Sequence, residues 1–374
     1  MKKYKKFTNK KEKPRVLVAP LDWGLGHSTR CIPIIKELTL LGCEVYIAAD
    51  KKTFSLLKKE FPHTVFLRYK GYEIEYSRKK IFFSLKLIFQ SPKIIKRIFQ
   101  ENRWLKKTIK DHSIDAVISD NRFGMFNKSV PSIYVTHQLY IKTGNTFSEL
   151  IAQKIHYYFI KKYLFCWVPD TQKEGLAGEL SHPKKIPENV IYIGPLSRFI
   201  PLAREQETYD LLVIVSGPEP QRTQFENTLL AQLKTMEGNI FFIRGLPEVT
   251  QREENFNKIK LRNHLASNEL NEALALSKIV ICRSGYTSVM DLAALQKKAI
   301  LIPTPGQREQ EYLAKYLMEK GFFFAAEQKD FSIKSSLENL VRFHYEKLNL
   351  PAEAYKKTVA EFVDFLKTGK DPVH

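Results

Sequence analysis

Three kinds of feature are scarce in this chain of 374 residues, and each absence excludes a class of protein. No apolar run reaches roughly 18 residues, so a membrane-spanning helix is not expected. The apolar run at residues 16–21 is too short for a signal-peptide core and no small-residue cleavage site follows it. The four cysteines are widely scattered, which is not the pattern of a metal cluster or a disulfide framework. A reducing, cytoplasmic setting is therefore predicted.

Negative charge is scarce in the first half of the chain. Residues 1–200 contain 37 lysines and arginines against 17 aspartates and glutamates, whereas residues 201–374 contain 23 of each. The whole net charge of +20 therefore belongs to the first half, including a lysine-rich tail at residues 1–13. A basic surface on one side of a protein attracts polyanions, either nucleic acid or an anionic membrane face.

Much of this charge lies in one segment, residues 78–110. Phe, Leu, Ile and Trp alternate there with Lys and Arg at roughly helical spacing, and Pro92 is predicted to separate two helices. A basic amphipathic helix with aromatic residues is typical of a membrane-surface element, so we predict peripheral attachment to an anionic membrane on its inner face. The alternative is a core-packing helix whose basic face is merely solvated.

Strand-like and helical patterns alternate along the chain, which predicts parallel sheets covered by helices. We expect an α/β protein with two doubly wound, Rossmann-like domains facing each other across a cleft. Their predicted limits are 14–198 and 199–350, preceded by a disordered tail (1–13) and followed by a helix (351–374) that crosses back to the first domain. Strands are predicted at 15–20, 44–49, 64–67, 116–119, 132–135, 211–215, 239–243, 279–282 and 299–303, and helices at 29–41, 51–60, from about 221, 271–277 and 350–368.

The most informative stretch is residues 277–291, which reads as a strand, a turn at Ser284 and Gly285, and a helix. Gly285 would let the backbone turn sharply and let a ligand approach closely. The helix would direct free N–H groups and its positive dipole end at a phosphate over the turn. Asp291, six residues beyond Gly285, is placed to reach a ribose hydroxyl. The alternative is an ordinary strand-to-helix turn with an exposed aspartate.

A second glycine loop follows the first strand. Gly24 and Gly26 have the G-x-G spacing of a dinucleotide-binding loop, but Thr29 stands where the third glycine would be. His27 comes directly after the second glycine. At a helix N-terminus its protonated form is disfavoured, so the imidazole would stay neutral and able to accept a proton. We predict His27 as a general base, with Asp22 as the second candidate.

These residues resemble the family-28 glycosyltransferases of the GT-B fold, among which is the peptidoglycan enzyme that adds N-acetylglucosamine to a lipid-linked acceptor. The resemblance is strongest over residues 279–312. It implies that Ser284 and Gly285 meet the UDP diphosphate, that Asp291 meets the ribose and that Gln310 meets the transferred sugar. The family often has two adjacent glutamines there, whereas this chain has Gln310 followed by Glu311. The implied donor-binding set is Ser216, Gly217, Arg222, His264, Leu265, Arg283, Ser284, Gly285, Tyr286, Thr287, Asp291, Gln310 and Glu311.

On the acceptor side the resemblance is looser. It implies an acceptor-binding loop that carries His27, together with two strand-end loops that line the same cleft. The implied acceptor-binding set is Gly24, Gly26, Asp120, Arg122, His137 and Gln138.

The function expected from this resemblance is inverting transfer of a hexose or N-acetylhexosamine from a UDP-sugar to a lipid-linked or glycan acceptor. No Asp-x-Asp occurs in the chain, so neither a metal bridge to the diphosphate nor another cofactor is expected. Residues 24–30, with the pattern G-x-G-H-x-x-R, resemble UDP-sugar hydrolases of the same fold equally well. UDP-sugar 2-epimerases share the fold too, but their carboxylates are not recognisable here. A basic nucleic-acid-binding protein is the non-enzymatic alternative, although no nucleic-acid motif occurs and no such partner is expected.

Overall fold

The computed structural model describes residues 12–22, 24–69, 83–173, 175–202, 207–247, 249, 253–256, 259–351 and 353–370. Most of the predicted tail and the first five residues of segment 78–110 lie outside this range. The chain divides into two compact units. Unit 1 comprises Met1–Leu196 and Pro351–His374, and unit 2 comprises Ser197–Leu350.

Unit 1 is built on a seven-stranded sheet with the order β3-β2-β1-β4-β5-β6-β7, and every neighbouring pair is parallel. The chain order reverses between β1 and β4, where Pro20 stands opposite Asp120. The strands are β1 (Arg15–Pro20), β2 (Glu44–Ala49), β3 (Val65–Arg68), β4 (Ala116–Asp120), β5 (Ser132–Val135), β6 (Phe165–Val168) and β7 (Val190–Tyr192).

The helices of unit 1 cover this sheet, and Leu17, Val117 and Leu105 belong to one of its apolar clusters. The helices of unit 1 are α1 (Leu25–Leu40), α2 (Lys51–Glu60), α3 (Phe83–His112), α4 (Thr146–Ile160) and the terminal α10 (Ala354–Thr368). α10 packs in unit 1, where Phe362 meets the Trp167 ring edge-on and Lys367 donates to the carbonyl of Leu41 at 2.8 Å.

Unit 2 has its own seven-stranded sheet, with the order β10-β11-β9-β8-β12-β13-β14. Only the pair β10 and β11 is antiparallel, and the chain order reverses between β8 and β12. The strands are β8 (Tyr209–Ile214), β9 (Ile240–Ile243), β10 (Glu253–Phe256), β11 (Ile259–Arg262), β12 (Ser277–Cys282), β13 (Ala299–Leu301) and β14 (Phe324–Ala325). The helices are α5 (Gln221–Leu233), α6 (Ser267–Ala275), α7 (Tyr286–Ala294), α8 (Arg308–Glu319) and α9 (Ile333–Arg342).

Three expectations about local structure are corrected. α1 begins four residues before the predicted start, because Gly24, with φ of 94°, changes the chain direction and Thr29 bonds to the Gly26 carbonyl inside the helix. α3 runs through Pro92 as one helix of 30 residues, since the proline removes one N–H but leaves the other backbone bonds of the helix in place. Gly285 has φ of −70°, a value open to any residue, so the turn there does not require glycine.

None of the helices in the described part of the chain is long and apolar enough to cross a membrane. All four cysteines are free thiols, and each is buried.

Candidate active site and donor site

The reversal of strand order in unit 1 places two functional side chains side by side. In open α/β sheets, ligands bind beyond the carboxyl ends of the strands at such a reversal. Asp120 is the last residue of β4, and His27 lies in the first turn of α1, which follows β1. The Nδ1 atom of His27 is 3.1 Å from Oδ1 of Asp120. The topology therefore builds a histidine–aspartate pair where a substrate would be expected.

Arg30 contacts both members of this pair. It lies one helical turn after His27, and its Nε donates to Oδ2 of Asp120 at 2.6 Å. Its Nη1 lies 2.8 Å from Nδ1 of His137, which must accept because a guanidinium only donates. Asp120 is fully buried and His137 is 4% exposed. Both were predicted to bind the acceptor, and the structure encloses the Asp120 carboxylate between Arg30 and His27.

His27 has the protonation behaviour that a general base needs. Burial lowers the pKa of His27, the charge of Arg30 lowers it further, and Asp120 partly opposes both. Burial alone would raise the pKa of Asp120, but Arg30 and His27 outweigh it and hold that pKa well below the ordinary range. At neutral pH the pair is therefore a carboxylate beside a neutral imidazole. Nδ1 of His27 also lies 2.9 Å from Nη2 of Arg30, which only donates, so the partner of Nδ1 depends on the tautomer. When Nδ1 carries the proton it donates to Asp120, which leaves the lone pair of Nε2 for a substrate.

Asp22, the second candidate for the base, has a different environment. Its carboxylate, 20% exposed, faces Nη2 of Arg122 at 3.5 Å. Arg122 was predicted to bind the acceptor, but it is 1% exposed and its donors serve the protein. Nε donates to the Pro20 carbonyl at 2.7 Å and Nη1 to the buried Glu101 at 2.9 Å. The structure thus gives Arg122 a role in fixing the loop after β1.

The remaining residues predicted on the acceptor side lie around the same strand ends. Gly24 and Gly26 are exposed, and a Cβ atom added at Gly24 would meet nothing within 4 Å. Gln138 is half-buried beyond β5, where its backbone N–H donates to Thr136. This leaves open space above the loop that leads to His27.

In unit 2, three loops meet at the carboxyl ends of the adjacent strands β8, β12 and β13. Ser216 and Gly217 are exposed after β8, and a Cβ atom added at Gly217 would lie 3.7 Å from the hydroxyl of Thr304, after β13. Ser284, after β12, is buried and donates to the main-chain carbonyl of Gln310 at 2.9 Å. The loop after β12 is therefore bonded to the first turn of α8, and the loop after β8 lies close to the loop after β13.

Gln310 and Glu311 position one of these loops. The Gln310 side chain accepts from the N–H of Thr304 at 2.9 Å and donates to Gln307 at 2.6 Å. Glu311 accepts from the N–H of Gly306 at 2.8 Å. Both side chains thus shape the loop after β13, and both are half-buried at its surface.

The helix that follows Gly285 presents its N-terminus at the same place. No side chain caps α7, and a Cβ atom added at Gly285 would meet nothing within 4 Å. Tyr286 is buried in the first turn, whereas Thr287 is half-buried. The open space over Gly285 and the positive helix end together suit a phosphate.

Two arginines predicted to bind the donor are instead structural. Arg283 is 1% exposed, stacks 3.9 Å from the centre of the Phe225 ring and donates to main-chain carbonyls, including that of Pro303. Arg222 is held between Glu219 and the buried Glu226. Both guanidinium groups are thus engaged within unit 2.

Asp291, which was predicted to reach a ribose hydroxyl, is buried and so is not the exposed aspartate of the alternative interpretation. It is 5% exposed and accepts from the Ser197 hydroxyl at 2.9 Å and from the N–H of Arg198 at 3.3 Å. The Arg198 guanidinium lies 3.5 Å from its other oxygen. Burial raises the pKa of Asp291, and these partners offset the rise only in part. Ser197 and Arg198, at the start of unit 2, therefore bind the carboxylate that was expected to meet a ribose.

The loop with His264 and Leu265, two residues of the implied donor-binding set, follows β11. Leu265 is 5% exposed, His264 is half-buried, and Asn263 before them accepts from the N–H of Leu246 through its carbonyl at 2.8 Å. Among the described residues, no group of three His, Cys, Asp or Glu side chains is placed to hold a metal ion.

Arg30 is the functional residue that was absent from the predicted set. Its signal was present in the sequence, because His27 and Arg30 are three apart and so share a face once the helix is known to begin at Leu25. Ser197 and Arg198 gave no such signal, since they lie far from Asp291 in the chain.

Comparisons with known proteins concern the family of the second half of the chain and the fold of the whole. Residues 222–368 match the family model of the glycosyltransferase family 28 C-terminal domain. The chain is similar to the UDP-N-acetylglucosamine--N-acetylmuramyl-(pentapeptide) pyrophosphoryl-undecaprenol N-acetylglucosamine transferase of Haemophilus influenzae (strain PittEE). The two are 34% identical over 104 residues, 27% of this chain and 29% of that protein. The protein of the same name from Clostridium tetani (strain Massachusetts / E88) is 24% identical over 91% of this chain and 94% of its own length.

The chain matches only 29%, 42% and 25% of the lengths of the first three curated relatives. Among solved structures, the glycotransferase of kitacinnamycin has a TM-score of 0.62 at 12% identity and covers 96% of both chains. MurG from Acinetobacter baumannii has a TM-score of 0.51 at 14% identity, again over 96% of both chains. At these identities the likeness concerns the fold, and it confirms the predicted α/β class and GT-B fold.

Proposed function

Because residues 222–368 match the family model of the glycosyltransferase family 28 C-terminal domain, we propose that this protein transfers a sugar from a UDP-sugar to a lipid-linked or membrane-associated acceptor. The names of the curated relatives state a UDP-N-acetylglucosamine donor and an undecaprenol-linked acceptor. An N-acetylhexosamine or a hexose is accordingly the proposed transferred group.

The observation that carries the proposal is the contact between His27 and Asp120. Transfer to a hydroxyl needs an unprotonated base, and burial keeps His27 unprotonated while Asp120 orients its ring. Nε2 of His27 takes the hydroxyl proton as the acceptor oxygen attacks the anomeric carbon. The bond from that carbon to the UDP oxygen breaks, and UDP leaves with the electron pair. A single displacement of this kind inverts the anomeric centre.

The leaving diphosphate gains negative charge, and unit 2 offers a place to stabilise it. The uncapped N-terminus of α7, the open space over Gly285 and the exposed Ser216–Gly217 turn favour an anion there. Because the chain has no Asp-x-Asp motif, we propose that these groups act without a bridging metal ion.

The basic segment 78–110 supports a membrane-associated acceptor. In its described side chains, Ile98 and Leu105 are buried, whereas Phe99 is 71% exposed and Ile95 is 54% exposed. Lys106 and Lys107 are exposed on the same helix. We propose that this outer face contacts anionic lipid.

Two measurements test the proposal. Isothermal titration with UDP and UDP-N-acetylglucosamine, against ADP and GDP as controls, should show binding of the uridine nucleotides. Labelled-sugar transfer to a polyprenyl-diphosphate-linked acceptor should fall by about 10²–10⁴-fold in His27→Ala, while UDP binding is kept. The matched control is His63→Ala, which alters an exposed histidine outside the site. Chelation with EDTA should leave the rate unchanged.

Each alternative gives a distinct result. Release of UDP at full rate without any acceptor would identify a UDP-sugar hydrolase, in which the same base activates water. Failure of every uridine nucleotide to bind would refute the donor assignment. Nanomolar duplex binding with a steep salt dependence would favour a nucleic-acid-binding protein.

A further inference from the structure

Helix α4 of unit 1 exposes a continuous row of large apolar side chains. The row consists of five residues between Phe147 and Tyr158, whose exposed fractions are given below. Successive residues of an α-helix are about 100° apart, so these five side chains lie within an arc of roughly 140° around the helix axis. The opposite face is packed, since His156 and Ile160 are buried. The exposed fractions are 72% for Phe147, 57% for Leu150, 45% for Ile151, 52% for Ile155 and 60% for Tyr158.

Single exposed apolar residues are ordinary, but a helix face composed of them is not. A surface helix normally turns such a face toward the core and its polar face toward water. Here the outward face has five apolar residues and one lysine, Lys154. Exposed apolar patches of this kind mark places where a partner or a membrane covers the surface.

The neighbouring helix α3 contributes to the same surface region. Ile98 of α3 and Phe159 of α4 belong to one apolar cluster with Phe123, so the two helices are adjacent. The exposed Ile95 and Phe99 lie on α3, close in sequence to Ile98. Unit 1 therefore has two neighbouring helices with exposed apolar residues.

The charges around α4 are basic. Lys154, Lys161 and Lys162 are exposed on the helix and just beyond its end, and Nζ of Lys162 lies 4.2 Å from the centre of the Tyr158 ring. The only acid in the helix, Glu149, accepts from the N–H groups of Thr143 and Gly144 before it. Its charge is thus engaged by the preceding loop, which leaves the apolar row flanked by positive charge.

We propose that α4 inserts its row Phe147, Leu150, Ile151, Ile155 and Tyr158 into the interface of an anionic lipid bilayer. Apolar and aromatic side chains beside lysines match acyl chains beside anionic headgroups. A second copy of this chain fits less well, because a two-fold contact through α4 would bring the same lysines together. This inference rests on the proposed function, because transfer to a membrane-associated acceptor is the reason for the protein to bind a membrane. It adds α4, which lies outside segment 78–110, to the surface that contacts the membrane.

The experiment is co-sedimentation of the full chain with vesicles of phosphatidylcholine containing phosphatidylglycerol, and with vesicles of phosphatidylcholine alone. The triple variant Leu150→Ser, Ile151→Ser, Ile155→Ser removes exposed side chains, so folding should be preserved. The matched control is Leu40→Ser, Val341→Ser, which removes exposed apolar residues elsewhere (82% and 86% exposed). Wild type and control should bind anionic vesicles equally, and the triple variant about tenfold or more weakly. In Phe147→Trp, tryptophan emission should shift to the blue on adding anionic vesicles.

Vesicle binding by the triple variant equal to that of wild type would refute the proposal. So would a wild-type dimer, measured by light scattering, that the triple variant converts to monomer without any change in vesicle binding. UDP binding by the triple variant separates this proposal from the proposed function. It should equal that of wild type, and its absence in every form of the protein would refute the donor assignment alone.

Discussion

His156 gives unit 1 a stability that depends on pH. It lies on the inner face of α4, is 2% exposed, and neither of its ring nitrogens has a hydrogen-bond partner. The rings of Phe123 and Tyr134 meet it edge-on with centroids at 5.5 and 5.8 Å. A positive charge in this apolar site would be unsolvated, so burial lowers the pKa of His156 to about 4.

The magnitude follows from the difference between the folded pKa of about 4 and the ordinary value of 6.5. Between these values the unfolded chain binds more protons at this site than the folded chain, so stability is lost as pH falls through 6.5. At pH 7.5 both states are neutral there. At pH 5 the unfolded imidazole is almost fully protonated and the folded one is not, which costs about 2 kcal/mol of unfolding free energy.

Tryptophan fluorescence during urea denaturation at pH 7.5 and pH 5.0 measures this loss of stability in unit 1, the unit that contains His156. The three tryptophans, Trp23, Trp104 and Trp167, all belong to unit 1. His156→Leu removes the titrating group and both unpaired nitrogens while keeping an apolar side chain in the site. The decrease between the two pH values should therefore be about 2 kcal/mol smaller in His156→Leu than in wild type.

The control is His63→Leu, which removes an exposed imidazole from the same unit and should follow the wild-type decrease. An equal decrease in unfolding free energy in wild type and His156→Leu would show that the imidazole has the same pKa in the folded and the unfolded chain. That result would refute the argument from its burial.

Three further predictions concern the proposed site and the fold. The acid limb of kcat/KM should have an apparent pKa below 6.5, because burial lowers the pKa of His27 and only its neutral form accepts a proton; a limb above pH 7 would contradict this. Asp120→Asn removes a charge that raises the His27 pKa, so the limb should move to lower pH and the rate should fall by about 10²-fold. Gly245→Ala should destabilise unit 2 by about 1–3 kcal/mol in urea denaturation, because φ is 70° and the added Cβ would lie 2.1 Å from the Val215 carbonyl oxygen. Gly285→Ala, which meets nothing within 4 Å, is the control.

Much of the fold was predictable from local patterns. The apolar strands Arg15–Pro20, Glu44–Ala49 and Ser132–Val135 and the helix Lys51–Glu60 have the predicted bounds. Buried parallel strands are apolar runs between turn residues, so their signal is local. The strands β6, β7, β10, β11 and β14 and the helices α4, α8 and α9 were not predicted. The outer face of α4 is as apolar as a buried one, and periodicity does not distinguish such a face from the core.

The candidate site was predictable in its location but not in the roles of its charged residues. Loops after β1, β4, β8 and β12 were identified because glycine, polar residues and helix starts follow apolar strands. The charges of Arg122, Arg222 and Arg283 were expected to face ligands. Arg122 and Arg283 are instead buried against a carboxylate, carbonyls or a ring from distant parts of the chain. Arg222 is held by Glu219 and Glu226, which are close to it in sequence.

The sequence by itself determined the alternation of strands and helices, the glycine loops, His27 and the concentration of positive charge in the first half. Each of these depends on neighbours within a few residues, through backbone preference and side-chain periodicity. Only the tertiary structure decided that Asp120 and Arg30 contact His27. It likewise decided that Ser197 and Arg198 bind the Asp291 carboxylate, and that the apolar face of α4 points outward. These contacts join residues up to 94 positions apart, and the free energy of burying a charge depends on which partners the folded chain brings to it.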